Sequence, residues 1–111
     1  MGNIFLDIDN TLIRWEIASN NKEVPFVNGE LVEAIYHYMV TNPKTKLFIW
    51  SGGGTEYAKK FAENVFINFQ VVPKYITIPQ EDDICIDDSE VVTKGVTMTP
   101  EQFIEKFQQC I

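Results

Sequence analysis

The sequence predicts a single α/β domain over residues 1–111, with a parallel sheet of about five strands flanked by helices. Short apolar runs, typical of strands buried on both faces, alternate with longer segments whose apolar residues recur at helical spacing. With 45% hydrophobic and 23% charged residues, the composition is that of a folded globular protein of one ordinary domain. Strands that alternate with helices imply right-handed crossovers and therefore a parallel sheet.

The predicted strands are short and mostly apolar. The first contains NIFLDI, and the second and fourth repeat its character with KLFIW and DICI. The third is rich in β-branched and aromatic residues but is interrupted by Pro73, and the fifth is the weakest. In chain order they cover residues 3–8, 46–50, 69–78, 83–86 and 95–98.

Three helices are predicted at residues 28–40, 55–65 and 99–107. Asn28 is a suitable N-cap for the first helix. Thr99 and Gln102 have the spacing of a capping box at the start of the third. Between the first strand and the first helix, IRWEI and KEVPF flank ASNNK, which predicts a β-hairpin flap over residues 13–27.

Polar and charged residues follow the predicted strands. Ligands of parallel α/β folds collect at the carboxyl ends of the strands. Lys74 lies in the middle of the third strand region. We therefore expect it to converge at one edge of the sheet with the residues that follow the strands: Asp7, Asp9, Ser51, Gly52, Asp87 and Asp88.

These residue types suit a metal ion and a phosphate. Clustered carboxylates stay ionised in a partly dry cleft when a cation holds them, and hard oxygen ligands suit Mg²⁺. Ser51 and the amides of the following GGGT segment, at the start of a helix, can bind an anion. Lys74 can bring a positive charge to a phosphoryl oxygen. The alternative for Asp7 and Asp9 is an ordinary solvated turn, which Asp, Asn and Thr also favour.

Composition also bears on partners and compartment. The net charge of −7 argues against nonspecific binding of long nucleic acids or of membrane surfaces. Two cysteines, Cys85 and Cys110, match neither a disulfide framework nor a zinc site, which favours a reducing compartment. No apolar stretch has membrane-spanning length and the N-terminus lacks a secretory leader pattern, so we expect a cytoplasmic protein.

The segments FLDIDNTL, FIWSGG, Lys74 and ICIDDSE, in that order, resemble the haloacid dehalogenase (HAD) superfamily of phosphohydrolases, whose first motif is an apolar strand followed by DxDxT. The resemblance extends from about residue 3 to residue 90. It implies a three-layer Rossmann-like fold of the HAD type. Both intervals in which larger members carry a cap domain are short here, so a capless member is expected.

The resemblance implies a role for each residue of the first motif. Asp7 is expected to be the nucleophile that forms an aspartyl-phosphate, with one oxygen on Mg²⁺. Asp9 is expected to protonate the leaving alcohol and then to activate water, while its backbone carbonyl ligates the metal. An acid at this position points to phosphomonoester hydrolysis, because dehalogenase and phosphonatase members lack it. Thr11 is expected to steady the loop.

The later motifs imply phosphate binding and metal ligation. Ser51, the Gly52 amide and Lys74 are expected to hold the phosphoryl oxygens, and Asp88, with Asp87 as a second candidate, to complete the metal ligands. Lys44 and Lys46 remain alternatives to Lys74.

One departure from the family pattern concerns the outer part of the metal site. Many members carry a further acid four residues beyond the metal-binding aspartate. Here Val91 or Val92 stands at that place, which leaves Glu90 as a displaced substitute.

A capless enzyme is expected to have an open cleft. In this superfamily an open cleft goes with bulky substrates, such as phosphoproteins or nucleic-acid ends, or with subunits that cover one another's sites. Oligomerisation is therefore an alternative that the sequence does not decide. Arg14 and Trp15 lie on the flap, where they can contact a neighbouring phosphate and stack on a ring. The alternative is that Trp15 packs under the hairpin and Arg14 extends along the surface.

The sequence thus favours a Mg²⁺-dependent phosphomonoesterase that acts on a phosphorylated substrate. Two alternatives remain. One is a phosphate-binding or regulatory module of the same fold with little turnover. The other is a polynucleotide-end phosphatase that acts with a partner enzyme, the one setting in which nucleic acid stays a candidate.

Overall fold

The central strand of the fold is the first one, as expected of an apolar run buried on both faces. The computed structural model describes residues 2–107, so Cys110 lies outside the described residues. Its elements are β1 (Ile4–Leu6), β2 (Ile13–Ile17), β3 (Glu23–Val27), α1 (Gly29–Thr41), β4 (Leu47–Ile49), α2 (Thr55–Ala62), β5 (Gln70–Val71), β6 (Ile84–Ile86), β7 (Val96–Met98) and α3 (Pro100–Phe107).

Five strands form one parallel sheet in the order β5-β4-β1-β6-β7, which confirms the predicted α/β class and the Rossmann-like layout. The other two strands, β2 and β3, pair antiparallel and form the predicted hairpin, with Trp15 opposite Pro25. Among residues 2–107, no helix is both long enough and apolar enough to cross a membrane.

Backbone pairing continues one residue beyond the strands at the carboxyl edge of the sheet. The Asp7 amide donates to the Ile86 carbonyl at 3.1 Å, and the Trp50 amide donates to the Leu6 carbonyl at 3.0 Å. The Asp87 amide donates to Met98 in the same way, at 3.0 Å. The residues that follow β1, β4 and β6 are therefore held in register with one another.

Within residues 2–107 the helices cover one face of the sheet, which corrects the expectation of three layers. Buried residues of all three helices pack into one cluster with Ile4 and Leu6 of β1. The second cluster, built on Phe5, Trp50 and Cys85, contains no helical residue among those the structure describes. Right-handed crossovers would place helices on this second face after β5 and after β6, but irregular segments make both connections.

The helix ends follow the predicted capping chemistry. Asn28 Oδ1 accepts the Leu31 amide at 3.2 Å at the start of α1. Thr99 and Gln102 form the reciprocal capping box, with bonds of 2.9 and 3.1 Å. The second helix is shorter than predicted and ends at Ala62, whose carbonyl accepts the amides of both residue 65 and residue 66 in the turn that follows.

The third sheet strand is also shorter than predicted. Instead of residues 69–78, β5 covers only Gln70–Val71. The Val72 amide makes the last bond to β4, and Pro73, which has no N–H, ends the pairing. Tyr75 then adopts a φ of +71° and turns the chain, so Lys74 lies in a loop.

A substitution at Gly95 tests how closely the segment that precedes β7 packs against the backbone of residues 80 and 83. A Cβ on Gly95 would overlap the carbonyl oxygens of Asp83 and Gln80, whereas one on Gly29, at the start of α1, would meet no atom within 4 Å. We expect Gly95→Ala to lower the free energy of unfolding by about 1 to 3 kcal/mol. Gly29→Ala should leave it unchanged or raise it by about 0.5 kcal/mol. Urea denaturation of both variants measures this; equal stabilities would contradict the close packing at Gly95.

Candidate active site

Asp7, which follows β1, is buried and bonded through both carboxylate oxygens. Lys74 Nζ donates to Asp7 Oδ1 at 2.9 Å and to Asp87 Oδ2 at 2.8 Å. Thr11, which is also buried, donates its hydroxyl to Asp7 Oδ2 at 3.2 Å. The ammonium thus joins residues that follow two neighbouring strands, β1 and β6.

This arrangement shifts the ionisation of its members. Burial, together with the charge of Asp87, raises the pKa of Asp7 to about 6, although Lys74 acts in the opposite direction. Burial and the neighbouring Asp87 also raise the pKa of Asp88. For Lys74, burial acts to lower the pKa, but hydrogen bonds to Asp87 and Asp7 outweigh it and raise the pKa above its usual value.

The carboxylates of this cluster fit a divalent cation. Asp7, Asp87 and Asp88 each offer an oxygen, and these atoms lie within 4.8 Å of one another. When ionised, the three carboxylates and the single ammonium of Lys74 leave two negative charges, which a divalent cation would neutralise. Hard oxygen donors of this kind suit Mg²⁺, although Ca²⁺ and Mn²⁺ use the same donors. Glu90 is not part of this group.

The turn after β4 has the features of an anion site. Ser51 is buried, and its hydroxyl and carbonyl oxygens accept the amides of Gly53 at 3.0 Å and Gly54 at 3.1 Å. A φ of +106° at Gly54 directs the chain into α2, which begins at Thr55. Within residues 2–107 the Gly52 amide donates no hydrogen bond. It is thus available, beside the N-terminus of α2, to an anion.

Asp9 is held by two aromatic side chains. Tyr57 Oη donates to Asp9 Oδ1 at 2.6 Å, and Trp15 Nε1 donates to the same oxygen at 2.8 Å. Burial and the bond to Asp9 raise the pKa of Tyr57 to about 12. Ile8, between the two aspartates, is buried in the core.

The flap residues Arg14 and Trp15 have different surroundings. Trp15 packs edge-on against Phe61 at 6.0 Å between ring centroids, in addition to its bond to Asp9. Arg14 pairs with Glu101 of α3 at 3.5 Å, with both side chains more than half exposed. Arg14 therefore lies outside the carboxylate cluster, and its side chain pairs with α3.

Two tyrosines belong near this site although the sequence analysis did not single them out. Tyr57 lies among apolar residues of α2, and the sequence signal that indicates it is its position in the first turn after the glycine run. Tyr75 follows Lys74, is 81% exposed and has a left-handed backbone conformation that is rare for aromatic residues. Lys46, an alternative to Lys74, has its backbone bonded to Asn3 and Ile4 at the opposite edge of the sheet.

Comparisons of the chain with protein-family models, with curated proteins and with solved structures found no match. The interpretation of the site therefore rests on the residues and geometry of this chain.

The raised pKa of Asp7 predicts that its charge destabilises the metal-free fold. The folded state binds the Asp7 proton more tightly than the unfolded state, so the free energy of unfolding should fall as the pH rises from about 4 to about 6. In EDTA at pH 7.5, Asp7→Asn should therefore be more stable than the wild type by about 1 to 3 kcal/mol.

Denaturant unfolding at pH 4, 6 and 7.5 measures this difference, and Glu105→Gln, at an exposed position on α3, removes the same charge as a control. An Asp7→Asn variant that is less stable than the wild type at pH 7.5 would contradict the prediction.

Proposed function

We propose that this protein is a Mg²⁺-dependent phosphatase of the HAD type, which hydrolyses a phosphomonoester through an aspartyl-phosphate on Asp7. The observation that carries the proposal is the bridge that Lys74 makes between Asp7 and Asp87, beside Asp88. A nucleophilic carboxylate, a phosphate-binding cation and a cluster of oxygen ligands are the groups that phosphoryl transfer requires.

In the first half of the proposed reaction, a carboxylate oxygen of Asp7 forms a bond to phosphorus. The bond from phosphorus to the alcohol oxygen breaks, and Asp9 donates a proton to that oxygen as it leaves. Lys74, whose ammonium lies 2.9 Å from Asp7 Oδ1, stabilises negative charge on the phosphoryl oxygens. Ser51 and the free amide of Gly52 orient the same group.

In the second half, a water molecule attacks phosphorus and gives its proton to Asp9. The bond from phosphorus to the Asp7 oxygen breaks, which releases inorganic phosphate and restores the enzyme. Mg²⁺ bound by Asp7, Asp87 and Asp88, with the Asp9 carbonyl as the further expected ligand, would neutralise charge on the phosphoryl group. Thr11, which bonds to Asp7 Oδ2, keeps the nucleophile in one orientation.

The proposed substrate is bulky or macromolecular. Between β1 and α1, where a cap domain would stand, this chain has only the hairpin of β2 and β3. Exposed apolar side chains, among them Tyr75 and Ile76, follow Lys74 and offer a surface outside the phosphate position. A phosphorylated protein segment fits this surface better than a long nucleic acid does, because the net charge of −7 repels a polyanion.

Hydrolysis of an aryl phosphate with Mg²⁺ or with EDTA tests the reaction. The wild type should be active only with the metal, and Asp7→Asn should lose activity by about a thousandfold or more, because it removes the nucleophile. Glu105→Gln should match the wild type. A folded wild type with no metal-dependent activity above that of Asp7→Asn would overturn the proposal and favour a phosphate-binding module.

The metal ligands can be tested separately through the Mg²⁺ requirement. We expect Asp88→Asn to raise the Mg²⁺ concentration for half-maximal activity by about 10-fold or more. Even the loss of a group that only supports a metal ligand lowers metal affinity by about 10-fold. Glu90→Gln is the matched control two residues away, and it should leave the requirement unchanged because Glu90 lies outside the cluster. Equal Mg²⁺ requirements for both variants would contradict the assignment of Asp88.

A substrate panel then addresses specificity. Phosphopeptides, 3′- and 5′-phosphorylated oligonucleotides, nucleotides and phosphosugars are compared by kcat/KM. We expect phosphopeptides to be preferred, whereas a preference for oligonucleotide ends would identify a polynucleotide-end phosphatase.

A further inference from the structure

Only one oxygen of the Asp9 carboxylate accepts hydrogen bonds from the described residues. Tyr57 Oη and Trp15 Nε1 both donate to Oδ1, at 2.6 and 2.8 Å. No hydrogen bond from the part of the chain that the structure describes reaches Oδ2. One oxygen of the carboxylate is therefore fixed by two donors, and the other accepts none from residues 2–107.

The two donors come from different parts of the fold. Tyr57 lies in the first turn of α2, directly after the Ser51 turn, and Trp15 lies on β2 of the flap. Phe61, one turn further along α2, packs against both rings, at 5.1 Å from Tyr57 and 6.0 Å from Trp15. This aromatic contact holds the donors side by side, so neither can rotate away without losing packing.

A carboxylate held in this way has a restricted orientation. An aspartate side chain with free torsions would spread its oxygens over several positions, and misplacement by about 1 Å can reduce a catalytic rate about a hundredfold. Two donors on one oxygen leave the carboxylate little freedom to rotate. Neither Tyr57 nor Trp15 needs to touch the substrate for this effect.

We propose that Tyr57 and Trp15 are positioning residues for Asp9, which fix Oδ1 and thereby present Oδ2 to the leaving alcohol and to the attacking water. This inference rests on the proposed function of Asp9 as the proton donor and acceptor. The proton moves at Oδ2 in both half-reactions, to the alcohol oxygen in the first and from water in the second, while the two bonds at Oδ1 remain. The flap thus supports the proton-transfer group of the site through Trp15.

The experiment removes each hydrogen-bond donor and keeps an aromatic ring in its place. Tyr57→Phe deletes one hydroxyl, and Trp15→Phe deletes the indole N–H but keeps an aromatic ring beside Phe61. With Mg²⁺ and an aryl phosphate, each variant should lose about 10-fold or more in kcat, with KM within about twofold of the wild type. Tyr36→Phe is the matched control, because its hydroxyl bonds to the Val65 carbonyl and it should keep wild-type kcat.

A double-mutant cycle separates positioning from general structural damage. If Tyr57 acts through Asp9, then Tyr57→Phe should have no further effect on kcat in the Asp9→Asn background, whereas a structural defect would reduce kcat there as well. The loss should also be greater for an alkyl phosphate than for an aryl phosphate, because a poor leaving group depends more on proton donation.

An independent readout follows the contact itself. In the ¹⁵N-resolved NMR spectrum, the indole N–H resonance of Trp15, identified by its loss in Trp15→Phe, should shift in Asp9→Ala.

The outcomes distinguish the two proposals. A wild type that hydrolyses phosphate with Mg²⁺, but whose Tyr57→Phe and Trp15→Phe variants keep wild-type kcat, overturns the positioning inference and leaves the proposed function intact. Equal losses from Tyr57→Phe with and without Asp9 also overturn the inference. A wild type with no metal-dependent hydrolysis overturns both, even if the indole resonance reports the contact. If Trp15→Phe fails to fold, the Tyr57 cycle decides.

Discussion

The parallel pairing of β1 with both β4 and β6 is the constraint on which the rest of the structure depends. Its three residues bond to a strand on each side, and the same register continues through the amides of Asp7 and Trp50. Because parallel strands end at the same edge, residues from distant parts of the chain meet there. The core on the helical face holds β1 in place, and the positions of Asp7, Ser51 and Asp87 follow from it.

The same register brings the carboxylates of Asp7 and Asp87 close together, and the ammonium of Lys74 compensates part of their negative charge. Asp7 and Asp87 would repel each other if both were ionised without a partner, and Lys74 bonds to both. The pKa of Asp7 nevertheless remains raised, at about 6, so the free protein is not at its electrostatic optimum. A bound divalent cation would stabilise the ionised carboxylates of this site, and a phosphate would then bind beside the cation. The proposed reaction uses this stabilisation of the charged groups.

Helices cover one face of the sheet, and this asymmetry affects how the site is built. The connections after β5 and β6 are irregular segments on the other side, and they carry Lys74 and Asp88. The sequence predicted the helices well from apolar spacing and caps. It predicted β5 poorly, because β-branched and aromatic residues extend beyond Pro73, where pairing stops. The residue types of a segment determine whether it can form a strand. The length of the strand depends on how far a neighbouring strand can pair with it.

The sequence alone determined the α/β class, the succession of strands and helices along the chain, the hairpin and the meeting of Asp7 with the paired aspartates at one edge of the sheet, because these depend on local patterns and strand ends. The tertiary structure decided which groups bond. Lys74 reaches Asp7 across 67 positions, and Tyr57 reaches Asp9 across 48. No periodicity or spacing encodes such contacts, since they depend on how the turn after β5 and the first turn of α2 pack against β1.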